Sequence, residues 1–188
     1  MSKNQIMQHA QLLAAFALKS EGREIRYDLA GRLAYLADRL CLERHGFPVV
    51  SDRRIAVMGS AVNCGTMRTV FDGFNPEVRG APMFSEIGAL TCRVSDHVLA
   101  EDLDLHSVSI GRIIDETWTN HADLGVEGIE RLMSQPGRYP EISPAGMGCD
   151  ITIKDMLDAL GFEDAEEMAA EIDAYERIDL IFSVLEVR

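Results

Sequence analysis

Leu29, Leu33, Leu36 and Leu40 stand at i, i+4, i+7 and i+11. A strand would scatter that spacing over both its faces, whereas a helix gathers it into one apolar stripe. Asp28 is placed to cap the start of this helix, Gly46 sits where a C′ glycine ends one, and Pro48 prevents its return. One long helix with a stripe to bury needs other layers around it, so the rest of the chain has to supply them.

The flanking segments do so at similar spacing. Ser2 with Gln5 reads as a capping box, followed by Ile6, Leu13, Phe16 and Ala17 on one side of a helix that runs to Lys19. "SEGREIRY" breaks the pattern. After the Pro48 turn, "RRIAVMG" has the β-branched bias of a short strand, and residues 62–74 predict a helix with Val62, Met67, Val70, Phe71 and Phe74 inward. "NPEVRGAPMF" reads as a loop, and "GALTCRVS" with "HVLAEDLDL" as two antiparallel strands around Ser95 and Asp96.

Helices then return. Ile110, Ile113, Ile114 and Trp118 share a face of one that starts near Ser107 or Ser109, and a short one over about 125–133 turns Val126, Ile129, Leu132 and Met133 inward. Residues 134–150, "SQPGRYPEISPAGMGCD", have no period and read as an exposed loop. Thr152 with Asp155 opens a helix that Gly161 closes, and Asp164 with Glu167 opens the last, whose apolar side is Met168, Ile172, Tyr175, Ile181, Phe182 and Leu185. The expectation is a helix-rich α+β fold: a single domain over residues 1–188, a helical bundle carrying a small antiparallel β-sheet. No apolar run approaches the roughly 20 residues of a membrane span, and the polar N-terminus lacks the apolar core of a signal peptide, so a cytoplasmic protein is expected.

Signatures of catalysis are missing. The five histidines form no H-E-x-x-H motif, and the four cysteines, Cys41, Cys64, Cys92 and Cys149, form no C-x-x-C pair. Cys92 and His97 could meet across a turn, but two ligands do not hold a metal. "MGSAVNCG" has neither the lysine nor the spacing of a phosphate-binding loop. Asp115 and Glu116 are adjacent, so a helix splays them apart. No catalytic residue, metal ligand or cofactor is therefore assigned, and a metal- or thiol-dependent enzyme is the minority reading.

Charge is the more telling signal. Residues 1–98 hold twelve Lys/Arg against ten Asp/Glu, whereas residues 99–188 hold six against twenty-one, so the first half is about neutral and the second carries −15. That balance argues against direct nucleic-acid binding and favours a basic protein partner. Asp155, Asp158, Glu166, Glu167, Glu171 and Asp173 are the candidate acidic surface. The plainer explanation of the same charge is a solvated helix face.

Residues 32–62, "RLAYLADRLCLERHGFPVVSDRRIAVMGSAV", resemble the Panacea domain family, which includes SocA-like antitoxins and phage-associated relatives. Tyr35, Ala37 and Asp38 fit the family's helix signature, Gly46 and Pro48 its turn, Asp52 and Arg53 the segment that follows, and Gly59 and Val62 the next turn. The chain departs from the family at Ser60-Ala61, where relatives carry Gly-Pro. Residues 99–133 are similar to a second block of the family: a strand, a Ser-capped helix ending near an aromatic, and a short helix.

The resemblance implies an antitoxin that binds a cognate toxin and blocks it or, as a proteolytic adaptor, hands it to a Clp-type AAA+ protease. Within it, Tyr35 is expected to pack on the next helix and Asp38 to pair with Arg53 or Arg54. The alternative is a phage-encoded, anti-CRISPR-like inhibitor whose acidic surface imitates nucleic acid.

Overall fold

The structure, a computed structural model, describes residues 3–71, 75–104, 107–142 and 148–185. It is a mixed α+β domain of seven α-helices among the described residues, with small antiparallel sheets at its edges. The first helix, α1 (Lys3–Ala17), leads through a short strand, β1 (Glu24–Arg26), into the central helix α2 (Tyr27–His45). Ser2 lies outside the described residues.

Helix α2 departs from the single stripe its leucines predict. Leu33 and Leu36 are buried and Leu29 and Leu40 partly so, but Ala30, Gly31, Ala34, Tyr35, Ala37, Asp38 and Cys41 are buried as well. Small residues let neighbouring elements come close on the remaining faces. A Cβ on Gly31 would lie 2.8 Å from the Met67 side chain, so this glycine is a contact surface and not a weak spot. Truncating a residue such as Leu33 at this centre would cost about 2–5 kcal/mol. At the start, the N-cap is Arg26 and not Asp28, which lies inside the first turn with its carboxylate on the Leu29 N–H and the Arg26 guanidinium. The end is as expected: Gly46 takes φ 77°, and its N–H donates to Leu42 O.

The Pro48 turn leads to β2 (Arg54–Val57), and here the structure adds an unanticipated strand. β3 (Ser60–Asn63) folds back on β2 through Met58 and Gly59, both at positive φ (51° and 76°), the pattern of a type I′ hairpin. Gly59 is thus a hairpin residue and does not lead into a helix, and α3 begins later than predicted, at Cys64 (Cys64–Phe71). Val62 is a strand residue opposite Ile55. Phe74 lies outside the described residues.

"NPEVRGAPMF" contains a two-residue hairpin, β4 (Glu77–Val78) with β5 (Ala81–Pro82), and the start of β6 (Phe84–Ile87). β7 (Thr91–Val94) pairs with β6 and β1. "HVLAEDLDL" is therefore not its partner: the Asp102 carboxylate accepts from the Leu99 N–H and closes a 3-10 turn over Ala100–Asp102.

Helices α4 (Val108–His121) and α5 (Gly125–Met133) follow, the first capped by Ser107. The connection that follows is not uniformly exposed, since Tyr139 and Ile142 are buried and the Glu141 side chain has no exposed surface. Residues 143–147 lie outside the described residues. β8 (Asp150–Ile151) pairs with the free edge of β2, and α6 (Ile153–Leu160) has the Thr152–Asp155 capping box and the Gly161 stop. In α7 (Ala165–Leu185) Met168 and Ile172 face the core, but Tyr175 and Ile181 are exposed. Of the predicted apolar side, Met168 and Ile172 thus pack, and Tyr175 and Ile181 do not. Phe182 and Leu185 have no described side chain.

Candidate functional site

Asp38 lies at the centre of the family-like motif. Its side chain has no exposed surface and accepts five hydrogen bonds: the Val49 and Val50 N–H groups at 2.9 and 3.2 Å, Arg54 Nε and Nη2 at 2.9 and 2.6 Å, and Asn63 Nδ2 at 2.8 Å. Arg54 also donates to the Val50 and Asp52 carbonyls. One carboxylate thereby ties α2 to the Pro48 turn and to both strands of the β2–β3 hairpin. Such an ion pair holds geometry, and its geometry leaves no lone pair for chemistry. Of the two predicted partners, Arg54 is the one; Arg53 is exposed and pairs with Asp150.

Asp52 performs a second fastening. Its two oxygens accept from the Gly65 and Thr66 N–H groups, at 2.6 and 3.2 Å, at the start of α3. That is a stabilising place for a carboxylate. His9 of α1, almost wholly buried, stands 3.6 Å from the same carboxylate. Burial lowers the His9 imidazole to about 4, against the pull of Asp38, and burial lifts the Asp52 carboxyl to about 6, against the Gly65 N–H. At neutral pH the contact therefore joins a neutral imidazole to a carboxylate. Gly65 makes it possible, because a Cβ there would lie 2.6 Å from His9 Nε2.

Tyr35 does not simply pack against a helix. Its hydroxyl donates to Glu141 Oε1 at 2.8 Å, and Arg39 Nε donates to the same oxygen at 2.6 Å. Arg39 also lies over the Tyr139 ring, 4.8 Å from its centroid. The Tyr35 hydroxyl is held well above its usual range by burial and by the Glu141 charge. Sequence reasoning missed Glu141, and nothing in a Pro- and Gly-rich stretch signals a buried carboxylate.

The six acidic candidates fall into two groups, and Asp155, Asp158 and Glu166 of the first all act on the Lys154 ammonium. Asp155 is occupied by its capping box on Thr152, and Asp158 pairs with Lys154. Glu166 and Asp173 border a cleft that also holds Arg53 and Lys154. Glu167 and Glu171 are different: with Tyr175 and Ile178 they fall at i, i+4, i+8 and i+11 along α7, on one outward row. Tyr175 is 68% exposed, Ile178 46% and Ile181 59%.

Gly46 and Pro48 of the family-like turn lie beside this row. With Phe47, Met168, Ile172 and Tyr175 they line a cavity of about 430 Å³, and Phe47 is itself 43% exposed. The aromatic and aliphatic members of this surface escaped notice because their spacing is that of a core stripe.

Comparison of the chain with models of protein families, with curated proteins and with solved structures finds no match. Among the described residues, no group of three or more His, Cys, Asp or Glu is placed to hold a metal ion, and no helix is long and apolar enough to cross a membrane. None of the four cysteines is in a disulfide; Cys41 and Cys92 are buried, Cys64 is half-buried and Cys149 is exposed.

Proposed function

We propose that this chain is a protein-binding antitoxin whose docking surface is the outer row of α7 together with the Phe47 turn, and whose partner is a basic toxin. The observation that carries the reading is the exposure of Tyr175, Ile178 and Ile181 in line with Glu167 and Glu171. Large apolar side chains grouped at the surface mark interaction sites, and a tyrosine with aliphatic neighbours is the usual energetic centre of one. The carboxylates beside them select a partner of positive charge and speed the encounter. The resemblance of residues 32–62 to antitoxins supports the same role; in its adaptor form the bound toxin passes to a Clp-type AAA+ protease.

The test is co-expression with the toxin encoded beside it, scored by growth. The native chain restores growth, and a variant carrying Glu167→Lys, Glu171→Lys, Tyr175→Ala and Ile178→Ser fails to, while its thermal unfolding stays near native. Protection by that variant equal to the native chain's would refute the docking surface.

A further inference from the structure

The face of the β2–β3 hairpin turned away from the Asp38 cluster is covered on its β3 side, where Ser60 and Val62 are buried, and partly open on its β2 side. Along β2, Arg54 and Ala56 are buried while Ile55 and Val57, one residue out of phase, are half-buried, and Val62 of β3 stands directly opposite Ile55. Three β-branched residues thus form a small apolar platform at a place where a surface hairpin would carry polar ones. Above it lies a cleft of about 890 Å³, bordered by α1, α2 and α3 and by Glu176 of α7. That volume falls in the range of about 300–1,000 Å³ typical of small-molecule sites.

The border of the cleft carries three arginines, Arg32, Arg53 and Arg68, and three carboxylates, Asp28, Asp52 and Glu176. Arg32 comes from α2, Arg68 from α3, and Arg53, which pairs with Asp150, from the turn before β2. Opposite them, Asp28 is engaged by Arg26, and Asp52 by the start of α3. Arg32 is 94% buried, since only 6% of its surface is exposed, and although its two terminal nitrogens reach Asp28 O and Glu130, its Nε has no hydrogen-bond partner. A buried donor left unpaired is costly unless something completes it.

We propose that this cleft binds a small organic anion, with an aromatic or alkyl body on Ile55, Val57, Val62 and Met67 and a carboxylate, phosphate or sulfonate drawn to Arg32 and Arg68. The site meets α7 only at Glu176, off the outer row of that helix, and does not depend on that row.

The probe is 8-anilinonaphthalene-1-sulfonate, compared with the neutral N-phenyl-1-naphthylamine, by fluorescence titration and by amide chemical shifts of the labelled full chain. The sulfonate dye is expected to bind at one equivalent, with shifts confined to the hairpin, the start of α3 and the neighbouring turn of α2, and the neutral dye about tenfold more weakly. Arg68→Gln, an exposed change that leaves the Arg32–Glu130 pair intact, should weaken the sulfonate dye by a similar factor. Val57→Trp, which fills the cleft from its open side, should abolish binding while the chain remains folded by its amide spectrum. Equal affinity for the two dyes, shifts spread over the α7 surface, or unaltered binding in Val57→Trp would each overturn the proposal.

Discussion

Asp38 and Glu171 flank the same Gly46–Pro48 turn, one behind it and one in front, and they live in opposite worlds. Asp38 has no exposed surface and spends every lone pair on hydrogen bonds within the fold, while Glu171 stands on the outer row of α7 beside three exposed apolar side chains. The contrast separates two meanings of an acidic residue. Behind the turn, charge fixes the relative positions of α2, the turn and the hairpin. In front of it, charge is unspent on the fold and is open to a partner. The family-like motif belongs to the first kind, so its residues would be needed by any function this fold carries.

If that division holds, the largest effect belongs to Asp38. Asp38→Ala leaves Arg54 buried without its counter-charge, and strips two backbone N–H groups and Asn63 of their acceptor. The expected cost is about 3–5 kcal/mol, read as a lowered urea midpoint, and it would remove much of the stability of a domain this size. A loss below about 1 kcal/mol would mean that water enters and that the cluster is not the fastening described.

Next in size is Glu141→Ala. It leaves Tyr35 and Arg39 without their shared acceptor and frees the segment around residue 141 from α2. The expected loss is about 1–3 kcal/mol. Limited proteolysis gives a local readout, since cleavage near residues 138–142 should accelerate while cleavage elsewhere does not.

A third prediction concerns the sign of the pH dependence around His9 and Asp52. An unfolded histidine takes a proton below 6.5 but His9 in the fold only near 4, so across that window the unfolded chain binds more protons and stability rises with pH. Asp52 acts oppositely: in the fold it holds a proton up to about 6, in the unfolded chain only to 3.8, so it makes stability fall as pH rises between those values. The two slopes offset one another in the native chain. His9→Gln should expose the Asp52 slope, so that this variant loses about 2–3 kcal/mol, relative to native, on going from pH 4 to pH 6. Asp52→Asn should show the reverse sign. Urea unfolding of the three proteins at the two pH values checks this, and parallel curves would refute it.

The elements legible in the sequence are those whose ends are set by local chemistry. Gly46, Ser107, the Thr152–Asp155 box and Gly161 each mark a helix boundary that the structure keeps, because a cap satisfies its own neighbours. Strands β1 and β3 were not legible, since each depends on a partner: Ile25 pairs with Cys92, far along the chain, and β3 is announced only by a Met58-Gly59 turn that lacks the usual asparagine. The same rule applies to the site. Asp38 with Arg54 was within reach of local reasoning, but Asn63 and Glu141 reach their partners only through the tertiary fold. The acidic half looked like one surface in composition, and the helix period divides it, because Glu166 and Asp173 turn toward Arg53 and Lys154 while Glu167 and Glu171 turn outward.

The smallest effect on stability is the most informative about function. Glu167→Lys with Glu171→Lys changes two side chains that make no contact the fold needs, and removing like charges from a strongly acidic chain relieves repulsion if it does anything. Unfolding should therefore move by no more than about 0.5 kcal/mol. Affinity for a basic partner should fall nevertheless, and its salt dependence should flatten, because the on-rate loses its steering when the charges reverse. Tyr175→Ala, tested beside it, should act differently: it removes buried contact area from the complex, so it should speed dissociation with little change in salt dependence. A charge reversal that destabilised the fold as much as Asp38→Ala would erase the distinction between the two sides of the turn. A neutral one with unchanged binding would place the partner elsewhere, and leave α7 a helix whose outer face only keeps the chain in solution.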